Sequence, residues 1–174
     1  MELVEGRATI EDVDRFVARL GVIGDDHGCA IQAFDARYIV SRGHLERALE
    51  LADRARARDE AVARERAVEI LLYAAGRRQI ERSLELGVDA GEGSVVVVVA
   101  ADEDGETNDE RAAAAAVVER LDTARVLSET DTLDEFDEAR VRDFFGIGDA
   151  ELAATHAGLD ALVGERVALL DVEK

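Results

Sequence analysis

The chain has 174 residues, a length at which about two-thirds of the unfolded surface is buried on folding, so neither a metal nor a disulfide is needed to hold a core. Its longest apolar run is too short to cross a bilayer, its single cysteine, Cys29, has no intrachain partner, and no signal-peptide pattern is present; the expectation is a reducing cytoplasm and no membrane association. Forty Asp and Glu stand against 21 Lys and Arg, a net charge of −19, with Lys174 the single lysine, and acid excess with lysine almost absent is the composition expected in a halophile's cytoplasm, ahead of an acidic tail for basic partners.

Residues 2–8 alternate loosely and read as a first strand. Thr9, three residues before Asp12, approximates a capping box for a helix that carries Val13, Phe16, Val17 and Leu20 and runs to about Leu20. Residues 21–28, with Asp25, Asp26 and His27, read as a polar turn into a second strand, CAIQAF, in which Cys29 is a small buried hydrophobe. Residues 35–40 suit a turn or a short helix. Ser41 then caps a clear helix with Leu45, Ala48, Leu49 and Ala52 on one stripe and Glu46, Arg47, Glu50, Asp53 and Arg54 opposite.

After a charged stretch near Asp59 comes a helix through Val68, Ile70, Leu71, Leu72, Tyr73, Ala74 and Ala75, apolar on every side except Glu69 and therefore buried. Gly76 ends or kinks it. A short amphipathic helix follows, with Ile80 and Leu84 expected to face inward and Gly87 as its C-cap. Five successive valines, 95–99, predict a central strand covered on both faces. An acidic loop leads to a helix from about Asp109 to Leu121, whose alanine run suits close packing on the sheet. Residues 132–145 form a helical pattern through Leu133, Phe136, Val141 and Phe144, broken by Gly146 and Gly148; a short helix at 150–154 follows, and 165–172 read as a last strand. With no proline, repeat or linker, the pattern predicts a single compact α/β domain over residues 1–174, a mixed β-sheet packed with several helices.

No catalytic constellation emerges from these residues. His27, His44 and His156 are far apart and none is at ligand spacing from Cys29, so no metal site is expected; His44 reads as structural or partner-facing. Asp102, Asp104 and Glu106 beside Gly105 share the composition of a calcium loop without its full spacing or its terminal bidentate glutamate, and solvated loop carboxylates account for them. Neither Gly91-Glu92-Gly93 nor Gly146-Ile147-Gly148 extends to a dinucleotide or phosphate-loop fingerprint. No nucleophile has a base near it, so a protein without enzymatic activity or cofactor is expected.

The distribution of charge is more specific. Residues 1–82 hold 14 basic and 16 acidic side chains, whereas residues 83–174 hold 7 and 24. Between Arg54 and Arg82 eight arginines (54, 56, 58, 64, 66, 77, 78 and 82) face five acids, and a positive island in an acidic protein points to an anionic ligand. Arg54, Arg56 and Arg58 read first as partners of acidic neighbours on a solvated helix face. The candidate binding residues are Arg77, Arg78, Gln79, Ile80 and Arg82, which the buried helix holds in place.

At LLYAAGRRQIERSLELGV, with the preceding SRGHLERALELADRA and the closing ERVALLDV, the chain resembles the small auxiliary subunit of the archaeal and eukaryotic KEOPS complex, the PRPK-binding protein family. The resemblance covers essentially the whole length. Its most specific piece is LLY-A-A-G-R-R-Q-I, where the family usually has LLY-x-S/A-G-x-R-Q-I; the acidic surface and the loss of lysines are departures. The resemblance implies a mixed α/β accessory subunit, without catalysis of its own, in the making of threonylcarbamoyladenosine in tRNA. It also implies two partners, the kinase-like ATPase subunit of the complex and the single-stranded 3′ CCA end of tRNA. Single-stranded RNA ends are gripped through backbone charge and base stacking, which Arg78 and Arg82, one turn apart beside Ile80, can supply. Two other readings fit the residues: a small α/β enzyme or regulator that binds a phosphorylated metabolite through Arg77 and Arg78, and a structural interaction protein whose arginines form salt bridges.

Overall fold

The computed structural model describes residues 1–102, 109–133 and 135–172. They form β1 (Glu2–Ile10), α1 (Val13–His27), β2 (Cys29–Asp35), α2 (Arg42–Ala57), α3 (Arg66–Ala75), α4 (Ile80–Ser83), β3 (Gly91–Ala101), α5 (Glu110–Thr123), β4 (Leu127–Glu129), α6 (Glu138–Phe145), α7 (Asp149–Ala154) and α8 (Gly158–Val172), with 3-10 turns at Ala36–Tyr38 and Leu84–Leu86. The α/β composition is the one expected. The chain divides into two units: Met1–Ala36 with the described residues of Gly87–Thr132, and Arg37–Leu86 with the described residues from Leu133 onward.

The valine run organises the first unit. All five valines are buried, Val95, Val97 and Val99 on one face of β3 and Val96 and Val98 on the other, so a strand covered on both sides loses the usual apolar–polar alternation. Strand order is β2-β3-β1-β4, antiparallel throughout. Val95, Val97 and Val99 share a core with Phe16, Leu20 and Ile23 of α1 and Ala113, Val117 and Leu121 of α5. Cys29 is a buried thiol within that core, as expected.

α1 differs from expectation at both ends. Its N-cap is Asp12, whose carboxylate accepts the Arg15 N–H, and Thr9 belongs to β1. The helix runs through the stretch read as a turn and stops at Gly28 in the left-handed region. Gly24 continues the buried face because a Cβ there would lie 2.4 Å from the Cys29 carbonyl oxygen; the glycine permits close approach and ends nothing. β4 escaped the sequence pattern since its three residues bury one side chain, Leu127. Gly6 admits it to the sheet edge, as a Cβ at that position would meet the Ser128 carbonyl at 2.6 Å.

In the second unit Ser41 caps α2 by accepting the His44 N–H. Its buried face is His44, Leu45, Ala48, Leu51, Ala52 and Ala55, whereas Leu49 is half-buried. The segment expected as a closing strand is the end of α8, where Leu162, Val163, Val167 and Leu170 recur at helical spacing; an eight-residue window at the end of the helix does not show that period. The helix expected from residue 132 begins at Glu138, capped by Asp137, whose carboxylate accepts the Arg140 N–H. Among the described residues no helix is long and apolar enough to cross a membrane.

α3 is the centre of this unit. Residues 69–75 are all buried, and Glu69 is as deeply buried as its neighbours, its carboxylate accepting the Val62 and Ala63 N–H groups at 3.2 and 2.7 Å. The polar residue that would mark a solvent face instead closes the preceding loop. From α2, the His44 Nε2–H donates to the Ala74 carbonyl at 2.8 Å, its ring lies edge-on to Phe145, and its buried Nδ1 has no partner among the described residues.

Two expected outcomes follow from these contacts. Gly76 has φ +59, and a Cβ there would stand 2.9 Å from the Arg166 carbonyl oxygen of α8, so Gly76→Ala should lower unfolding free energy by about 2 kcal/mol or more, combining left-handed strain with a backbone clash. Gly148→Ala, which meets nothing within 4 Å, should remain within about 1 kcal/mol in the same denaturant titration. Burial pushes the His44 pKa below its ordinary 6.5, outweighing the Ala74 hydrogen bond and the Asp160 charge that raise it. Below 6.5 the unfolded chain takes up this proton while the folded chain resists it, so His44 removes stability as pH falls through that value and is neutral in its effect above it. The difference in stability between the natural chain and His44→Gln, measured from pH 7.5 to 5 by about half-unit steps, should therefore move against the natural chain in the acid part; a constant difference would refute the neutral buried ring.

Candidate functional site

The end of α3 fixes the surface that follows it. The Gly76 N–H donates to the Tyr73 carbonyl at 2.9 Å and the Arg77 N–H to the Leu72 carbonyl at 3.1 Å, the double closure of a Schellman motif, which sets the exit direction of the chain. Arg77 is thereby half-buried. Its guanidinium donates to the Phe144 carbonyl and lies 4.6 Å over the Phe144 ring, while Phe144 stacks edge-on with Phe145 and Tyr38. A hydrogen bond plus a cation–π contact commits this side chain to the fold.

Arg78, Gln79, Ile80 and Arg82 are all exposed. Neither Arg78 nor Arg82 carries an ion pair among the described residues. Ile80 and Leu84, expected to face inward, are 46 % and 55 % exposed. The reason is the brevity of α4. After a single α-turn the chain tightens into the 3-10 turn, and the inward positions fall to Ser83 and Leu86, both fully buried. The Ser83 hydroxyl bonds to the Gln79 carbonyl at 3.1 Å, a bond one turn back that holds the single turn together. Leu84 caps α4, and Gly87, expected as its C-cap, lies buried beyond the 3-10 turn. The result is a surface strip in which two arginines without acidic partners alternate with two large apolar side chains.

Three arginines earlier in the island have other occupations, while Arg58 and Arg64 are exposed without an ion pair among the described residues. Arg54 pairs with Glu50 at 2.6 Å, Arg66 makes a two-pronged bond to Asp53 at 2.7 and 2.9 Å, and Arg56 donates to the Arg64 carbonyl at 3.1 Å. The pairing expected for helix-surface arginines thus holds for Arg54; Arg56 meets a backbone carbonyl instead, and Arg58 is exposed beside them. Phe144, which holds Arg77, was not legible in the sequence because it stands 67 positions further along. The exposure of Ile80 and Leu84 had a weak signal, the closeness of Gly76 and Gly87, which leaves little room for a helix with a buried stripe.

No group of three metal-ligating side chains occurs among the described residues. Asp104, Gly105 and Glu106 lie outside the described residues.

Comparison with known proteins adds one finding. The family model described as kinase binding protein CGI-121 matches residues 11–171, which run from the last residues before α1 into α8 and include the whole strip after Gly76. No curated protein matches the chain. A match over nearly the full length, with the Gly-Arg-Arg-Gln-Ile segment inside it, places the chain in the family of the kinase binding protein CGI-121.

Proposed function

We propose that this protein is the accessory subunit of a KEOPS-type complex in the cytoplasm of a halophilic archaeon, without catalytic activity or cofactor, and that it bridges a kinase-like ATPase subunit and tRNA. The family's description as kinase binding supports the first partner. The second rests on one observation: in a chain of net charge −19, Arg78 and Arg82 stand exposed, without acidic partners among the described residues, beside exposed Ile80 and Leu84. A single-stranded RNA end offers phosphates and unstacked bases, and a cationic pair alternating with an apolar pair is complementary to both. The 3′ CCA end of tRNA is the proposed ligand. Arg78, Gln79, Ile80 and Arg82 make the contact; Arg77, held by Phe144, positions them.

Habitat sharpens the mechanism. At roughly 1 M salt the Debye length is about 3 Å, so attraction at a distance is screened and counterion release contributes little. Affinity then depends on touching groups. Forked arginine contacts and apolar contact within the strip should dominate over Arg54 to Arg66. The reading in which Arg77 and Arg78 together clamp a phosphorylated metabolite is less well supported, because the Arg77 guanidinium already serves Phe144.

Binding of intact and CCA-truncated tRNA at high salt tests the proposal. A charge-assisted contact of about 1.5–3 kcal/mol corresponds to roughly ten- to hundredfold in affinity, and Arg78→Glu is expected to lose at least the lower figure. Arg56→Glu with Arg58→Glu should change affinity by less than about threefold, under 0.7 kcal/mol. Removal of the CCA end should abolish binding. Equal losses from the two sets of charge reversals, or indifference to the CCA end, would overturn the assignment. Arg77→Ala is expected to reduce both tRNA affinity and unfolding free energy, the latter by about 1 kcal/mol or more through the lost Phe144 contact; a variant of unchanged stability and reduced affinity would make Arg77 a direct RNA ligand instead.

A further inference from the structure

Acids outnumber bases more than three to one in the first unit, yet its arginines are not all neutralised. Arg111 pairs with Glu2 and Arg120 with Asp26. Arg15, Arg19 and Arg125 carry no ion pair or side-chain hydrogen bond among the described residues. These same three line one cleft of about 180 Å³ between the first half of α1 and the turn after α5, with Thr9, Asp12 and Phe16 among the other walls. Arg15 and Arg19 are one helical turn apart and so stand on one side of α1. Arg125 belongs to the turn after α5 that forms another part of the lining.

The turn that presents Arg125 closes α5 by the same double backbone bond as at Gly76, with arginine in place of glycine. Arg125 has φ 56, a conformation that side chains other than glycine rarely adopt. Three backbone bonds maintain it: Arg125 N–H to the Asp122 carbonyl at 2.7 Å, Val126 N–H to the Leu121 carbonyl at 2.8 Å, and Thr9 N–H to the Val126 carbonyl at 2.8 Å. The last of these ties the turn to β1. Two carboxylates also lie at the cleft, Glu11 and Asp12, but Asp12 is already engaged by the Arg15 N–H at the start of α1. Three arginines that carry no ion pair among the described residues line one cleft of a chain with 40 acids, and such a set favours an anion from outside.

We propose that this cleft is a second RNA contact, in which Arg15, Arg19 and Arg125 hold a backbone phosphate outside the CCA end. The volume is below the roughly 300–1,000 Å³ of sites that enclose small molecules; it accepts a phosphate group whose remaining atoms lie outside. A neighbouring groove shares Arg15, Arg19 and Ala124 and is floored by Ala18, Val22 and Leu121, with Val22 56 % exposed. Cationic and apolar surface side by side suits the phosphate and the sugar or base of one nucleotide. The inference rests on the RNA-binding reading above but on none of the residues that carry it.

The full-length chain is tested with intact tRNA in three forms: natural, Arg15→Glu with Arg19→Glu, and Arg125→Gly. Glycine suits φ 56, so Arg125→Gly removes the guanidinium while relieving the backbone, and its stability should equal or exceed that of the natural chain. Both variants are expected to lose roughly three- to tenfold in affinity, with the slope of log affinity against log salt shallower by about 0.7 to 0.9 per lost phosphate. Phosphate-ethylation interference should also disappear at positions outside the CCA end, whereas Arg78→Glu should remove interference at that end. Unchanged affinity and interference in both variants, with binding still dependent on the CCA end and Arg78, would overturn this contact alone. Failure of the natural chain to bind tRNA at all would overturn both readings. Loss of a kinase-like partner with tRNA affinity intact would show that the cleft takes an acidic protein segment, and would also overturn the proposal.

Discussion

The left-handed turn at Gly76 is the constraint on which the candidate surface depends. A helix with no solvent face cannot let its end fray, because its last carbonyls have no water to satisfy them. In this chain the Leu72 and Tyr73 carbonyls are closed by the N–H groups of Arg77 and Gly76, and the Ala74 carbonyl by His44. Closure in this form requires a residue at positive φ with room for no side chain beyond it, since the Arg166 carbonyl stands where a Cβ would lie. Glycine meets both conditions at once. The direction in which Arg77 and the residues after it leave the helix is therefore set by backbone hydrogen bonding, before any side chain of the strip is considered.

Arginine is sorted by what lies within reach of it. On α2, acidic neighbours at helical spacing absorb Arg54, and Asp53 absorbs Arg66 in a forked pair. After Gly76 the chain makes one α-turn and then a 3-10 turn, so the i,i+4 geometry that pairs charges on longer helices barely exists. Glu81 and Glu85 lie in the same short segment, yet Glu85 accepts the Tyr38 hydroxyl at 3.1 Å. Arg78 and Arg82 are left displayed. Local helix length thus accounts for the display of Arg78 and Arg82, whereas Arg58 and Arg64, at and past the end of α2, are exposed as well.

Much of the fold was legible where one element satisfies one pattern. The valine run shows β3 because both of its faces are buried, and the stripe on α2 with Ser41 ahead of it is an ordinary amphipathic helix with a cap. Legibility failed where a glycine served packing, not termination. Gly24 was read as part of a turn, but it lets α1 rest against the Cys29 carbonyl. It failed again where a short window hides the period, as in residues 165–172, and where a strand is too brief to alternate, as in β4. Of the candidate site, the exposure of Arg78, Gln79 and Arg82 was legible from the buried helix before them. The capture of Arg77 by Phe144 was not, because pairing across 67 positions leaves no local trace.

The outward turn of Ile80 and Leu84 runs against local preference. Burying each of these side chains would contribute about 1.5–3 kcal/mol, and the two sit one turn apart, the spacing at which they could share a core. Instead the inward positions go to Ser83 and Leu86, and Ser83 spends its hydroxyl on the Gln79 carbonyl to keep the turn closed. A fold selected for stability alone would exchange the polar and apolar residues between these positions. Local preference and the observed packing disagree here, and such disagreement concentrates at sites retained for contact with another molecule. The arginines alone would suit any anion; under the proposed function the apolar pair beside them meets the flat, weakly polar bases that a single strand of RNA brings with its phosphates.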